Sequence, residues 1–317
     1  MKTVKTIAVV GATGAQGGGL VRAIAADSNT EYFARALTRH TDSEKARALA
    51  DGGAELVQAD LDDPESLKAA FDGAWGAFCV TNFWEHFSPE RELQQALNMA
   101  DAAKAAKLQH VIWSTLPDTR LRVPLLDPRM PTLMGKYKVP HFDAKGEADR
   151  MFVERGLPVT FMMAAFYWEN FIYFGMGPQP GPDGVLAITL PMGDKKLPGI
   201  AAADIGRCAL GIFKAGPLYI GKRVGLAGDQ LTGDEMACAF TSALGREVRY
   251  NAVEPKTYAS FGFPGADDLA NMFQYKRDFA EEFCRAMDPA NSRALNAQAL
   301  RFEQWLAANK DRIPVGG

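Results

Sequence analysis

Through the first half of the chain, short apolar runs alternate with longer stretches in which apolar residues recur at helical spacing. That alternation is the pattern of βαβ units laid on a parallel sheet. Residues 4–10 predict a first strand and 14–26 the helix after it; 32–38 predict a second strand and 42–51 a short helix rich in Ala, Lys, Glu and Arg. Residues 54–59 and 64–71 form the next strand and helix, with Pro64 at a helix start where the missing N–H costs nothing. Residues 75–80 predict a fourth strand. Ser88 then caps a helix running to about residue 107, with Glu90 and Glu92 placed favourably in its electropositive first turn. Residues 110–114 predict a fifth strand, 144–155 a helix and 159–163 a sixth strand.

Between and beyond these elements the pattern loosens. Residues 116–140 carry five prolines and mixed polarity, and read as a long loop of the kind that is functional or mobile. After Asn170 a Gly/Pro-rich stretch at 175–184 precedes short strands at 186–190 and 223–226 and helices at 202–214 and 232–244. These predict a smaller α/β lobe on the carboxyl edge of the sheet. Leu295, Ala299, Phe302, Trp305 and Leu306 follow helical spacing and predict a helix docked on the body. In the tract Met162, Met163, Phe166, Trp168, Phe171, Tyr173 and Phe174, the methionines read as core. From Phe166 onward, core packing and the lining of a cleft both stand.

Composition narrows the class. The 317 residues exceed slightly what one core usually holds, so one large domain with a smaller second lobe is expected. Lys and Arg number 35 against 38 Asp and Glu, a net charge of −3 that leaves no electrostatic footprint for direct nucleic-acid binding. The longest apolar stretch, 157–168, falls short of the ~20 residues that span a bilayer. Lys2, Lys5 and an Ala23-Ile24-Ala25 triplet imitate a signal peptide, but the glycines from Gly11 to Gly19 break its apolar centre, and a cytoplasmic chain is expected. Cys79, Cys208, Cys238 and Cys284 are too dispersed for a disulfide framework and read as reduced, chiefly as buried apolar filler. His86 and His110 have no second ligand at metal spacing, so no metal is expected.

The first chemistry-bearing motif is Gly11-Ala-Thr13-Gly14-Ala15-Gln16-Gly17, placed after an apolar strand and at the mouth of a helix. Gly11 ends the strand in a tight turn, Gly14 lets backbone approach a pyrophosphate, and Gly17 lets the helix sit close on the strand. The helix N-terminus offers open N–H groups and about half a positive charge to the phosphates. At the end of the second strand, where an acid would bind the ribose 2′-OH of NAD, the chain has Thr38-Arg39-His40 and no carboxylate until Asp42. Arg39 suits the 2′-phosphate of NADP instead.

Taken in order, Gly11 to Gly17, Ala36-Leu-Thr-Arg39, Gln58-Ala-Asp60-Leu-Asp62-Asp63, Val80-Thr81-Asn82-Phe83-Trp84-Glu85, His141-Phe-Asp-Ala-Lys145-Gly-Glu147, Tyr167-Trp-Glu169-Asn170 and the run 262–273 resemble the NmrA-like family. This is an atypical branch of the short-chain dehydrogenase/reductases, and the likeness is to its HSCARG-type NADP(H) redox sensors. The resemblance implies an α/β fold, a Rossmann-type doubly wound parallel sheet over residues 1–164 with a smaller C-terminal α/β lobe over 165–317, their segments able to interleave and a cleft between them. It further implies cofactor contacts from Gly11, Thr13, Gly14, Ala15, Gln16 and Gly17 to the pyrophosphate, and from Arg39 to the 2′-phosphate. Asp60 and Leu61 would lie near the adenine, Thr81, Asn82 and Phe83 along the ribose, Lys145 at the nicotinamide ribose, and Tyr167, Trp168, Glu169 and Asn170 around the nicotinamide. Two departures, Asp42-Ser43 in place of further basic residues and Gln94 in place of a lysine, remove positive charge. NADP(H) is the expected cofactor, with NAD(H) at lower affinity.

The wider superfamily uses a Tyr with Lys four residues on to exchange a proton. No tyrosine here has that partner; His141 stands at the Tyr position before Lys145, and Ser114 stands where the substrate-orienting Ser would be. Two readings follow. One is a redox-sensing or regulatory protein whose dinucleotide occupancy orders loops, with 116–140 the mobile element, and changes a regulatory protein partner. The other is an NADPH-dependent reductase of a quinone, dye or related small-molecule acceptor, with His141 or Lys145 as proton donor. Monomer and homodimer are both compatible with the sequence.

Overall fold

The computed structural model describes residues 4–315; Lys2 of the leader-like run lies outside them. Along the chain come β1 (Lys5–Val9), α1 (Ala15–Ala25), β2 (Tyr32–Thr38), α2 (Glu44–Asp51), β3 (Glu55–Gln58), α3 (Pro64–Phe71), β4 (Gly76–Cys79), α4 (Pro89–Ala105), β5 (His110–Thr115), α5 (Pro140–Glu154) and β6 (Val159–Ala164). Then follow β7 (Phe166–Tyr167), α6 (Asn170–Tyr173), β8 (Gln179–Pro180), β9 (Leu186–Leu190), β10 (Leu197–Ile200), α7 (Ala202–Ala215), β11 (Arg223–Leu226), β12 (Asp229–Leu231), α8 (Gly233–Leu244) and β13 (Val248–Ala252). Five further helices complete the chain: α9 (Pro255–Ala259), α10 (Ala266–Asp278), α11 (Ala280–Ala286), α12 (Pro289–Leu295) and α13 (Phe302–Asn309). The helix starts follow local chemistry. Ser43, Asp63, Ser88 and Thr232 each accept first-turn N–H bonds through a side-chain oxygen.

Seven strands form one sheet in the order β11-β6-β5-β4-β1-β2-β3, parallel from β3 through β6. The order reverses between β1 and β4, and in such sheets ligands bind outside the carboxyl ends of the strands at that point. Ile7, Ala8, Val9, Ala77, Phe78, Ile112 and Trp113 are fully buried, as both faces of a helix-covered parallel sheet require.

By contact the chain divides into two compact units. The first comprises residues 1–118, 144–163 and 202–224; the second comprises 119–143, 164–201 and 225–317. The boundary expected at 164 is thus crossed twice: residues 119–143, on its first side, lie in the second unit, and residues 202–224, on its second side, lie in the first. Residues 202–214 and 223–226 were expected in the smaller lobe. Instead α7 packs on α1, where a Cβ on Gly206 would stand 2.1 Å from the carbonyl carbon of Gly19, and β11 extends the large sheet beside β6. Glycines on both helices permit backbone-to-backbone contact, while Ile205, Cys208, Ala209, Ile212 and Phe213 supply the buried face of α7.

The second unit holds two three-stranded sheets, β12-β10-β7 and β13-β9-β8. Phe166, Trp168, Phe171, Phe240, Phe302 and Trp305 form its aromatic centre, with neighbouring ring centroids 5.1–6.0 Å apart. Tyr173 and Phe174 are exposed. The C-terminal helical spacing holds only from Phe302, because Leu295 closes α12 and residues 296–301 are irregular.

Residues 119–143, most of which fall in the long loop read from sequence at 116–140, are tied at many points within the second unit. Asp143, fully buried, accepts the N–H and Oγ1–H of Thr119 and the N–H groups of Lys138 and Val139. Lys138 Nζ, also buried, donates to the carbonyls of Asp127 and Met130 at 3.0 and 2.6 Å. Asn271 and Gln274 of α10 donate to the carbonyls of Pro131, Lys138 and Arg129. Prolines had masked this order, since hydrogen bonds from side chains to a non-repetitive backbone leave no periodicity. Of the cysteines, none of which is in a disulfide, Cys79 and Cys208 are buried filler as expected, whereas Cys238 is exposed and Cys284 half-buried. Among the described residues no helix is long and apolar enough to cross a membrane, and no cluster of His, Cys, Asp and Glu is suited to a metal ion.

Candidate functional site

The glycine loop lies where the strand order reverses. Gly11 has φ +63°, a left-handed conformation that side chains resist, directly after β1. A Cβ on Gly17 would stand 2.5 Å from the Gly11 carbonyl oxygen and 2.6 Å from that of Val10, so only glycine lets α1 come this close to the strand. Gly14 is the N-cap of α1 and offers no side-chain cap, and the first turn of α1 holds no acid. Its N–H groups are therefore presented to an anion, without a competing side-chain oxygen. These features fit a pyrophosphate. Gln16 ties the loop to β5 by accepting the Ser114 hydroxyl at 2.8 Å, so Ser114 acts here as a support for the loop.

Arg39 follows β2 and pairs through Nη1 with Glu85 Oε1 at 2.5 Å, both side chains nearly half exposed. Beyond β3, Asp60 Oδ1 accepts the Asp62 N–H at 3.0 Å, and Leu61 presents its carbonyl to Asn98 Nδ2 at 2.8 Å. Gln95 and Arg91 of α4 hold Asp62, and Gln94, the position of the missing lysine, bonds Asn98 at 2.9 Å. The loop carrying Asp60 and Leu61 is thus braced against α4.

After β4, Thr81 is buried and Phe83 opens a short 3₁₀ turn, Phe83–Glu85. Lys145, on α5, reaches into this region. Its Nζ lies 2.5 Å from Thr81 Oγ1, 3.2 Å from Thr81 O and 2.8 Å from Glu92 Oε1. Thr81 Oγ1 donates in turn to Glu92 Oε1 at 2.5 Å, and the ammonium sits 5.3 Å from the Trp113 ring centroid. His86 Nδ1 accepts the Ser88 N–H at 3.1 Å, which leaves the ring proton on Nε2, facing Glu92 Oε2 at 3.5 Å. Glu92, placed by its sequence position as a first-turn acid, instead turns wholly inward as the counter-ion of Lys145. Nothing in the local pattern distinguishes it from Glu90, which stays exposed.

In the second unit, His141 lies inside the first turn of α5, which starts at Pro140, a turn earlier than the pattern predicted. Its Nδ1 stands 2.7 Å from Asp268 Oδ1, and its N–H donates to Asp268 Oδ2 at 3.3 Å. Asp268 falls in the 262–273 run quoted for the resemblance, but its pairing with His141 carries no sequence signal. Tyr167 and Asn170 are half-buried; Trp168 lies in the aromatic centre, and Glu169 Oε1 accepts the Trp305 indole N–H at 3.1 Å. Gly11 to Gly17, Arg39, Asp60, Leu61, Thr81 to Phe83, Ser114 and Lys145 therefore belong to the first unit, and His141 and Tyr167 to Asn170 to the second.

The sequence profile described as the NmrA-like family matches residues 3–306. The NmrA-like family domain-containing oxidoreductase FrzB of Cladobotryum sp is 32% identical over 320 residues, covering 93% of this chain and 92% of that protein. The crystal structure of NmrA, a negative transcriptional regulator, superposes with a TM-score of 0.79 at 27% identity, covering 96% of this chain and 95% of that one. The complex of that regulator with NADP gives 0.78 at 28% identity, covering 96% and 94%.

Proposed function

The chain belongs to the NmrA-like family, and from that premise we propose that it binds NADP(H), and NAD(H) more weakly, and works as a redox-sensing or regulatory protein in which dinucleotide occupancy is the signal. The observation that carries this reading is the buried Lys145–Glu92 pair. A lysine assists proton transfer in this superfamily through its positive field, and a buried carboxylate at 2.8 Å cancels most of that field. With His141 where the phenol would be, Lys145 and Thr81 suit holding a ribose better than moving a proton. The glycine loop and the open start of α1 would take the pyrophosphate, and Arg39 the 2′-phosphate. The regulator NmrA, similar along nearly its whole length, was crystallised with NADP and with NAD, which supports both cofactors here. Signalling requires that the bound and free states differ in affinity for a second partner.

A reduced dinucleotide, when bound, carries a transferable hydride, and one observation favours a second reading, reduction of a quinone or dye. His141 Nδ1 is held by Asp268 Oδ1 at 2.7 Å, a carboxylate–imidazole pairing of the kind that orients a general acid. The oxidoreductase name of FrzB points the same way. Calorimetric binding of all four dinucleotides beside steady-state NADPH oxidation over a panel of quinones, dyes and carbonyls separates the two. Binding without turnover is the expected result. Robust turnover that His141→Phe or Lys145→Ala abolishes would establish the reductase instead.

A further inference from the structure

The end of β2 lacks the acid that would accept the ribose 2′-OH of NAD, yet a carboxylate stands there all the same. Glu85 comes from the turn after β4, and β4 and β2 flank β1 on either side, so the two strand ends converge above the same strand. Glu85 Oε1 lies 2.5 Å from Arg39 Nη1. The turn that carries it is firmly built. Glu85 and His86 donate their N–H groups to the carbonyls of Asn82 and Phe83, each at 3.2 Å, Phe87 closes on Phe83 O at 2.8 Å, and the Phe83 ring is buried.

We propose, building on the dinucleotide-binding reading above, that Glu85 is a specificity-determining residue that sets the balance between NADP(H) and NAD(H). Its carboxylate supplies across the switch point what the second strand omits, an acceptor for the 2′-OH of NAD(H). Toward NADP(H) it works in the opposite sense, because it occupies the guanidinium that the 2′-phosphate needs and repels that phosphate at short range. An exposed ion pair of this kind opens readily, so Arg39 can exchange one anion for the other. One site thereby accepts both dinucleotides, with Arg39 and Glu85 pulling the preference in opposite directions.

The test is calorimetric titration of wild type, Glu85→Gln and Glu85→Ala with NADPH and NADH at low and physiological salt, with thermal melts to verify folding. Glu85→Gln is expected to bind NADPH about tenfold more tightly, the removal of one like-charge contact, and NADH a few-fold more weakly. The gain for NADPH should shrink at higher salt and in the Arg39→Ala background, where there is no guanidinium to release. An unchanged ratio of NADPH to NADH affinity in both Glu85 variants, with wild type binding normally, overturns this inference alone. If wild type binds neither dinucleotide, the underlying reading falls and this one with it.

Discussion

Lys145 Nζ and Glu92 Oε1 stand 2.8 Å apart, and the Thr81 hydroxyl bridges them as acceptor of one and donor to the other. Glu92 is completely buried and Lys145 nearly so. Desolvating two such charges is costly, and each is tolerable only because the other is present. Lys145→Met should therefore destabilise the protein by about 3–5 kcal/mol, the cost of an uncompensated buried charge. The double variant Lys145→Met/Glu92→Gln should recover most of that loss. Urea unfolding of wild type, the two single variants and the double variant measures it; single-variant losses no larger than those of a surface pair would contradict a buried, mutually dependent pair.

The contact between α1 and α7 rests on two glycines. A methyl group at position 206 would stand 2.1 Å from Gly19 C and 2.2 Å from Leu20 N, backbone atoms that cannot yield without moving a helix. Gly206→Ala is expected to lower the melting temperature sharply or prevent folding. Gly19→Ala meets its nearest neighbour at 3.5 Å and should be mild. Equal melting temperatures for the two variants would refute the close approach.

Arg39 is exposed and bears no load in the core, so its removal reports on ligand and little else. Arg39→Ala should weaken NADPH binding roughly ten- to a hundredfold, the worth of a charge-assisted contact, and leave NADH binding within a few-fold. Equal loss of both dinucleotides would remove Arg39 from the 2′-phosphate.

His110 is buried on β5 with Phe213 and Trp75 against its ring. Thr160 Oγ1 spends its proton on Tyr219 O and so accepts from His110 Nε2 at 2.8 Å, which places a ring proton on Nε2. Burial pulls its pKa from 6.5 down to about 4. Because the unfolded chain takes up a proton first, stability falls as pH drops from about 6.5 toward 4 and levels off below. The loss from this group should reach roughly 2 kcal/mol by pH 5. His110→Gln should flatten that part of the pH profile in urea unfolding; a slope equal to that of wild type would assign the acid sensitivity elsewhere.

Much of the site was legible because its demands are local. The G-x-x-G-x-x-G spacing specifies where backbone must turn and where it must approach, and the structure puts Gly11 at φ +63° and Gly17 against two carbonyls accordingly. Ser88 caps α4 as its residue type predicts, by accepting the Arg91 N–H at 3.2 Å. The pairings of Glu92, Glu85 and Asp268 were not legible, because a carboxylate has no periodicity and its role depends on which cation the fold brings to it. The same holds for α7: its amphipathic pattern announces a buried face but not the surface that covers it.

What the sequence alone determined, then, is the succession of strands and helices, the glycine loop at the first turn and the absence of a Tyr-x-x-x-Lys pair, all of which rest on periodicity, backbone freedom and spacing within a few residues. Only the tertiary structure decided that Lys145 answers to Glu92, that Arg39 answers to Glu85, and that residues 202–224 return to the first unit. The meeting of Arg39 with Glu85 depends on strand order. With β1 between β2 and β4, segments distant in the chain end side by side, and the charges they carry meet there.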